Sequence, residues 1–216
     1  MRYYFAPMEG LTDSIYRRLH HQFFSGVDAY YMPFLSPTVH RCLTHREARE
    51  LPMADSVPFR AVPQLMTKVP EDFLWAAGEC MNRGYDEVNL NAGCPSGTVV
   101  AKHKGSGMLR DLESLERTLD EIFSRCPLKV SVKTRMGVHS TEEFAAIMEV
   151  YKKFPIKLLT VHARDRDGLY KSSPDVDGFA KYVVSSPFPV EYNGNIYTAK
   201  DADEISKRFP DMERLM

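Results

Sequence analysis

The chain has 216 residues, 44% apolar and 11% aromatic, with 28 Lys and Arg against 29 Asp and Glu for a net charge of -1. That length supports one sizeable core, so one domain is expected, and the composition is that of a globular protein. The charge balance argues against a surface that binds nucleic acid indiscriminately, and no apolar run approaches the roughly 20 residues needed to span a bilayer.

The N-terminus turns from apolar to Glu9 and Asp13 without a long apolar region or cleavage site, so no signal peptide and a cytoplasmic location are expected. In chain order, short apolar runs predict buried parallel strands at 3–6, 29–32, 60–65, 87–91, 129–134, 158–162 and 190–193. Between them, Thr12-Asp13 caps a predicted helix through Phe23, Pro70 opens one reaching Gly84, and Asp111 starts one through Ser124. Thr141-Glu142-Glu143 opens the next, and Thr198 to Arg208 supplies the last. Strands alternating with helices are the mark of α/β architecture.

A closed (β/α)₈ barrel needs eight strands and typically about 250 residues. Seven strands are predicted here, with Asp211 to Met216 placed where an eighth would begin. The expectation is therefore a TIM barrel cut short within its eighth β/α unit, leaving its first and seventh strands with unpaired edges. An open doubly wound sheet is the competing fold, but no G-x-G-x-x-G follows the first strand.

Cys42, Cys80, Cys94 and Cys126 are far apart and include no C-x-x-C, which indicates neither zinc site nor disulfide framework. Cys80, in a helical stretch, and Cys126, after one, read as structural. Cys94 differs, because Gly93 and Pro95 place it on a turn at the carboxyl end of a strand, where α/β proteins carry their chemistry. Asn89 and Asn91 lie two apart, so their side chains share a direction. Other strand ends carry Glu9, Gln64, Lys133, Arg135, His162 and Asn193-Gly194-Asn195. Lys133 follows Val130 and Val132 and is read as pointing with them into the barrel, where a lysine calls for an anionic partner. His162 is read as a hydrogen-bonding residue, not a base. Asn193-Gly194-Asn195 is either a plain turn or, after strand seven, part of a phosphate site. Arg41, Arg46 and Arg49, then Lys102 and Lys104, then Arg164 and Arg166, form basic clusters that read as solvated faces.

Seven ordered segments resemble the tRNA-dihydrouridine synthases: 6–13 with Arg17 nearby, 63–65, 91–95, 105–109, 132–137, 161–164 and 193–196. The resemblance implies a TIM barrel, an FMN cofactor, NADPH as electron donor and a tRNA substrate. In a complete form it also implies a monomer with a C-terminal helical tRNA-binding domain, which is not expected within residues 1–216. It implies that Pro7, Met8 and Glu9 line the flavin ring, that Gln64 and Lys133 bond its polar edge, and that His162, Asn193, Gly194 and Asn195 hold its tail and phosphate. Cys94 would be the proton donor, with Asn91 and Arg135 on the substrate, and no metal is implied. The chain departs from the family at Leu65-Met66-Thr67, where a glycine usually follows the glutamine by three residues, and at Tyr170-Lys171-Ser172-Ser173-Pro174. Two rival expectations are a barrel flavin oxidoreductase acting on a small molecule, and an inert truncated fragment.

Overall fold

The computed structural model describes all of residues 1–216. Its strands are β1 (Arg2–Phe5), β2 (Ala29–Tyr31), β3 (Ala61–Val62), β4 (Gln64–Leu65), β5 (Glu87–Ala92), β6 (Lys129–Gly137), β7 (Leu159–Asp165), β8 (Val190–Asn193) and β9 (Arg214–Leu215). They pair in the order β3-β2-β1-β9-β8-β7-β6-β5-β4, every pairing parallel. Pro63 alone separates β3 from β4. Lacking an N–H, it interrupts one strand, yet its carbonyl still accepts from the Asn89 amide at 2.8 Å. Since β3 pairs with β2 and β4 with β5, the ring closes as a TIM barrel.

The expectation of unpaired edges on the first and seventh strands is corrected here. Arg214–Leu215 is the eighth stave: Arg2 registers with Arg214, Tyr3 with Leu215, and Tyr192 with Leu215. Two residues suffice to bridge β1 and β8.

The helices are α1 (Ser14–Phe23), α2 (His45–Glu50), α3 (Pro70–Asn82), α4 (Gly97–Val100), α5 (Leu112–Arg125), α6 (Phe144–Tyr151), α7 (Val176–Val183) and α8 (Ala199–Arg208). Their starts follow the capping chemistry of the sequence. Asp13 accepts from the Tyr16 amide at 2.8 Å and Asp111 from Ser114 at 3.0 Å, while Thr198 and Asp201 form a capping box. The short α2, α4 and α7 are not predicted by periodicity. In α7 the Asp175 cap packs so closely on Gly178 that a Cβ there would collide with the carboxylate, so a glycine sits inside the helix. No helix is long and apolar enough to cross a membrane.

Period-two alternation divides each stave. Val88, Leu90, Val130, Val132, Leu159 and Val161 pack outward in the main hydrophobic core with helix residues such as Phe73, Leu119 and Ile147. Asn89, Asn91, Ser131, Lys133, Thr160, His162 and Glu191 occupy the opposite face. This corrects the reading of Lys133: it does face the interior, but Val130 and Val132 face the helices. Lys133 shares its face with Ser131 and Arg135, two residues to either side.

Candidate functional site

A cavity of about 550 Å³ opens at the carboxyl ends of the strands, within the size range of small-molecule sites. Pro7, Met8 and Glu9, from the loop after β1, line it. So do Gln64 of β4, Asn91 and Cys94 of β5 and its turn, Lys133 and Arg135 of β6, and His162 of β7. Asn193, Gly194 and Asn195 do not line it, but hydrogen bonds tie Asn193 to the lining residue Lys133 and Asn195 to Arg164, which lies behind the lining residue His162. Lys133 Nζ donates to Asn193 Oδ1 at 2.8 Å, and Arg164 Nη2 donates to Asn195 Oδ1 at 2.9 Å. Gly194 lies so close to Tyr192 that a Cβ would come within 2.6 Å of its ring, which requires a glycine at this turn.

A directed amide chain runs across the inner face. Gln64 Nε2 donates to Asn89 Oδ1 at 2.8 Å, Asn89 Nδ2 to Ser131 Oγ at 2.9 Å, and Asn91 Nδ2 to Gln64 Oε1 at 2.7 Å. Asn91 Oδ1 accepts the amides of Gly93 at 3.1 Å and Cys94 at 2.9 Å. With both lone pairs used, Asn91 faces a ligand only as a donor. Asn91 thus shapes the turn that carries Cys94.

The cavity floor is cationic. Burial, with Arg135 adding to it, lowers the Lys133 ammonium to about 8, while Glu191 and Cys94 act to raise it. No carboxylate lies within salt-bridge distance of Lys133; its partner is the neutral Asn193 amide, and the expected anionic partner is not found within the chain. Arg135 donates to the carbonyls of Gly93 at 3.1 Å, Asp165 at 2.8 Å and Leu169 at 2.9 Å, leaving Nη2 buried with no partner. Tyr170 covers its guanidinium at 5.3 Å.

His162 Nε2 meets Arg164 Nη1 at 2.8 Å. A guanidinium can only donate, so Nε2 accepts and the ring is neutral, carrying its proton on Nδ1. Burial, together with Lys133, Arg135 and Arg164, pushes its pKa down to about 2. Arg164 is 3% exposed, which corrects its reading as part of a solvated face; it braces His162, Asn195 and the Ser172 carbonyl. Arg17 is likewise buried, with Nη1 3.4 Å from the Glu50 carboxylate and 2.7 Å from the Thr12 carbonyl, and so fixes the loop after β1. At the mouth, Glu9 is paired with Arg46 at 2.6 Å.

Sequence reasoning did not single out Phe34 or Glu191, and it named Tyr170 and Ser106 only within the segments 170–174 and 105–109, with no role of their own. Glu191 was recoverable from alternation with Asn193 on β8. Phe34 and Tyr170 sit in loops that carry no periodic signal.

The donor set fits an anionic, ring-bearing ligand such as a flavin mononucleotide: Lys133 has donors to spare, Arg135 Nη2 is buried without a partner, and the carboxylate at the mouth is already neutralised. No group of three or more His, Cys, Asp or Glu is placed to hold a metal ion.

The family model described as Dihydrouridine synthase (Dus) matches residues 4–209. A probable tRNA-dihydrouridine synthase of Rhizobium leguminosarum bv. phaseoli is 27% identical over 207 residues, covering 94% of this chain and 63% of the relative. tRNA-dihydrouridine synthase B of Proteus vulgaris is 27% identical over 192 residues, covering 88% and 58%. The chain thus spans about three fifths of the length of these curated relatives. Among solved structures, a variant of NCR from Zymomonas mobilis superposes with a TM-score of 0.67 at 13% identity, over 99% of this chain and 80% of that one. Histamine dehydrogenase from Rhizobium sp. 4-9 gives 0.66 at 10% identity, over 99% and 43%. At such identities the likeness is one of fold.

Proposed function

Because this chain belongs to the dihydrouridine synthase family, we propose that it is the FMN-binding barrel of an oxidoreductase that reduces the C5–C6 double bond of a uridine in tRNA. The observation that carries the proposal is the placing of Cys94, on a turn fixed by Asn91, at one cavity with the cationic floor of Lys133 and Arg135.

Pro7, Met8 and Glu9 would flank the flavin ring, and Gln64 and Lys133 would donate to its polar edge. His162, Asn193, Gly194 and Asn195 would hold the ribityl tail and phosphate, with Arg164 behind them. Reduced FMN, when bound, supplies the hydride that C6 of the base accepts, with NADPH as the proposed source of its electrons. Lys133 offsets negative charge at the ring's polar edge. Cys94 Sγ gives its proton to C5 from the opposite face, so that one hydride and one proton together saturate the bond. Being half-buried at the cavity wall, the thiol then regains a proton from solvent. The Asn91 amide and Arg135 Nη2 are donors available to the carbonyls of a uracil that has left its stack.

Two measurements test this reading. The protein is expected to bind FMN, seen as quenching of flavin fluorescence on titration. With NADPH, it is expected to convert uridine to dihydrouridine in a tRNA transcript that lacks the modification. FMN binding without conversion would refute the tRNA assignment, and absence of FMN binding would refute the cofactor assignment.

A further inference from the structure

Gly105-Ser106-Gly107-Met108-Leu109 has no part in the chemistry above, yet it lies in a 3-10 turn, Gly105–Arg110, directly behind Cys94. Ser106 has no exposed surface, and both of its donors serve one atom: its amide reaches the Cys94 carbonyl oxygen at 3.1 Å and its hydroxyl reaches it at 2.9 Å. Gly105 takes φ +56°, and a Cβ there would sit 2.8 Å from the Cys94 oxygen and 2.9 Å from the Cys94 Cβ. The segment is pressed against the cysteine so closely that only glycine fits.

From the other side, Asn91 Oδ1 accepts the Cys94 amide at 2.9 Å, and Arg135 Nε holds the Gly93 carbonyl at 3.1 Å. The amide and carbonyl of Cys94 are therefore both tethered, and Pro95 restricts the backbone of Cys94, the residue before it. With the main chain fixed in this way, rotation about χ1 is the freedom that remains to the thiol.

We propose that Ser106 is a positioning residue for Cys94. By gripping the Cys94 carbonyl from behind, it holds the Cα–Cβ bond in the direction that presents Sγ to the cavity, and it touches neither substrate nor cofactor. The proposal rests on the reading of Cys94 as proton donor. A well-packed serine with no such role would also be buried and hydrogen-bonded, so stability alone does not separate the two.

The test is the rate at which iodoacetamide alkylates Cys94, followed on the Cys94 peptide by mass spectrometry across roughly pH 6 to 10. Parent and Ser106→Ala proteins are compared as the whole chain, with exposed Cys42 and buried Cys80 as internal references. Losing one hydrogen bond of this kind corresponds to about a fivefold change in a local opening equilibrium. A change of about that size is expected at Cys94, with Cys42 and Cys80 unchanged and FMN affinity retained. The kcat for uridine reduction should fall by a similar factor of about five with KM unchanged, because only the thiol's aim is disturbed.

An unchanged alkylation profile at Cys94 would overturn the proposal. So would a general loosening that exposes Cys80 and abolishes FMN binding, because Ser106 would then be an ordinary core residue. If the parent shows no uridine reduction at all, the functional reading fails, while the alkylation comparison still decides whether Ser106 positions the thiol.

Discussion

Glu191→Gln isolates the energetics of the barrel interior. Glu191 has no exposed surface; its Oε2 accepts from Thr160 Oγ1 at 2.6 Å, and Oε1 has no partner. Burial raises its pKa to about 8, against the Thr160 hydrogen bond and the charges of Lys133 and Arg214, while Glu87 adds to the rise. An unfolded glutamate ionises near 4.3. Between that value and about 8 the unfolded chain has lost the proton and the folded chain keeps it, so stability falls steadily as pH rises through this window and is flat above it. At about 1.4 kcal/mol per tenfold difference in proton affinity, the loss is on the order of 3–5 kcal/mol. Lys133 contributes the opposite limb. Its folded pKa of about 8 lies below the ordinary lysine value, so its penalty is full below about 8 and is relieved from there upward. The parent should thus carry a stability minimum near pH 8 from this pair. Urea unfolding of parent and Glu191→Gln at several pH values removes contributions common to both. The difference in stability, mutant minus parent, should rise by on the order of 3 kcal/mol from about pH 5 to about pH 8. Parallel stability profiles would show that Glu191 ionises in the fold as it does in the unfolded chain, and would refute the reasoning.

Cys94→Ala is expected to keep FMN binding and to lower uridine reduction by about 100-fold or more, as on losing a general acid; parent-like turnover would remove Cys94 from the chemistry. Lys133→Ala should weaken FMN or slow its bleaching by NADPH, and flavin titration with stopped-flow absorbance checks both; if neither changes, Lys133 does not face the flavin. Arg17→Met leaves the Glu50 carboxylate without its buried partner and should destabilise the fold by about 3 kcal/mol, read from urea midpoints. Gly137→Ala drives a Cβ into the Ser140 carbonyl and the Glu143 side chain, and a loss of roughly 2 kcal/mol or more is expected in the same assay.

The strands were legible because both faces of each are covered, which leaves short apolar runs bounded by Gly, Pro or charge. Val190–Asn193 falls where the sequence places it, whereas β6 and β7 run on to Gly137 and Asp165 beyond their apolar runs. That extension depends on a partner: Gly137 registers with Asp165 past an irregularity at Arg135, and pairing between distant strands leaves no local trace. The eighth stave was legible only as a position, since 211–216 falls where it would begin, and its pairing with both neighbours was not, for the same reason. Arg214-Leu215 has no strand-like pattern and is ordered by hydrogen bonds from both neighbours.

At the site, residue types announced themselves but their commitments did not. A cysteine between glycine and proline, or a histidine ending a strand, is visible in the chain. That Asn91 spends its oxygen on the cysteine turn, that Arg164 holds His162 neutral, and that Ser106 grips a carbonyl twelve residues away are facts of closure, since each joins segments that only the barrel brings together. The inner face shows the limit most clearly. Glu87, Asn89, Asn91, Ser131, Lys133, Thr160 and Glu191 are polar residues at every second position of strands that otherwise read as buried, and alternation alone predicts that they meet. It does not predict which of them remain unpartnered. The buried atoms left without partners include Arg135 Nη2, at the wall of the cavity, and Glu191 Oε1, deeper in the barrel. The first is a donor where a uracil carbonyl is proposed to dock, and the second belongs to the group whose proton sets the barrel's pH response, so the unsatisfied positions of this fold are the places where its function and its stability are both open to measurement.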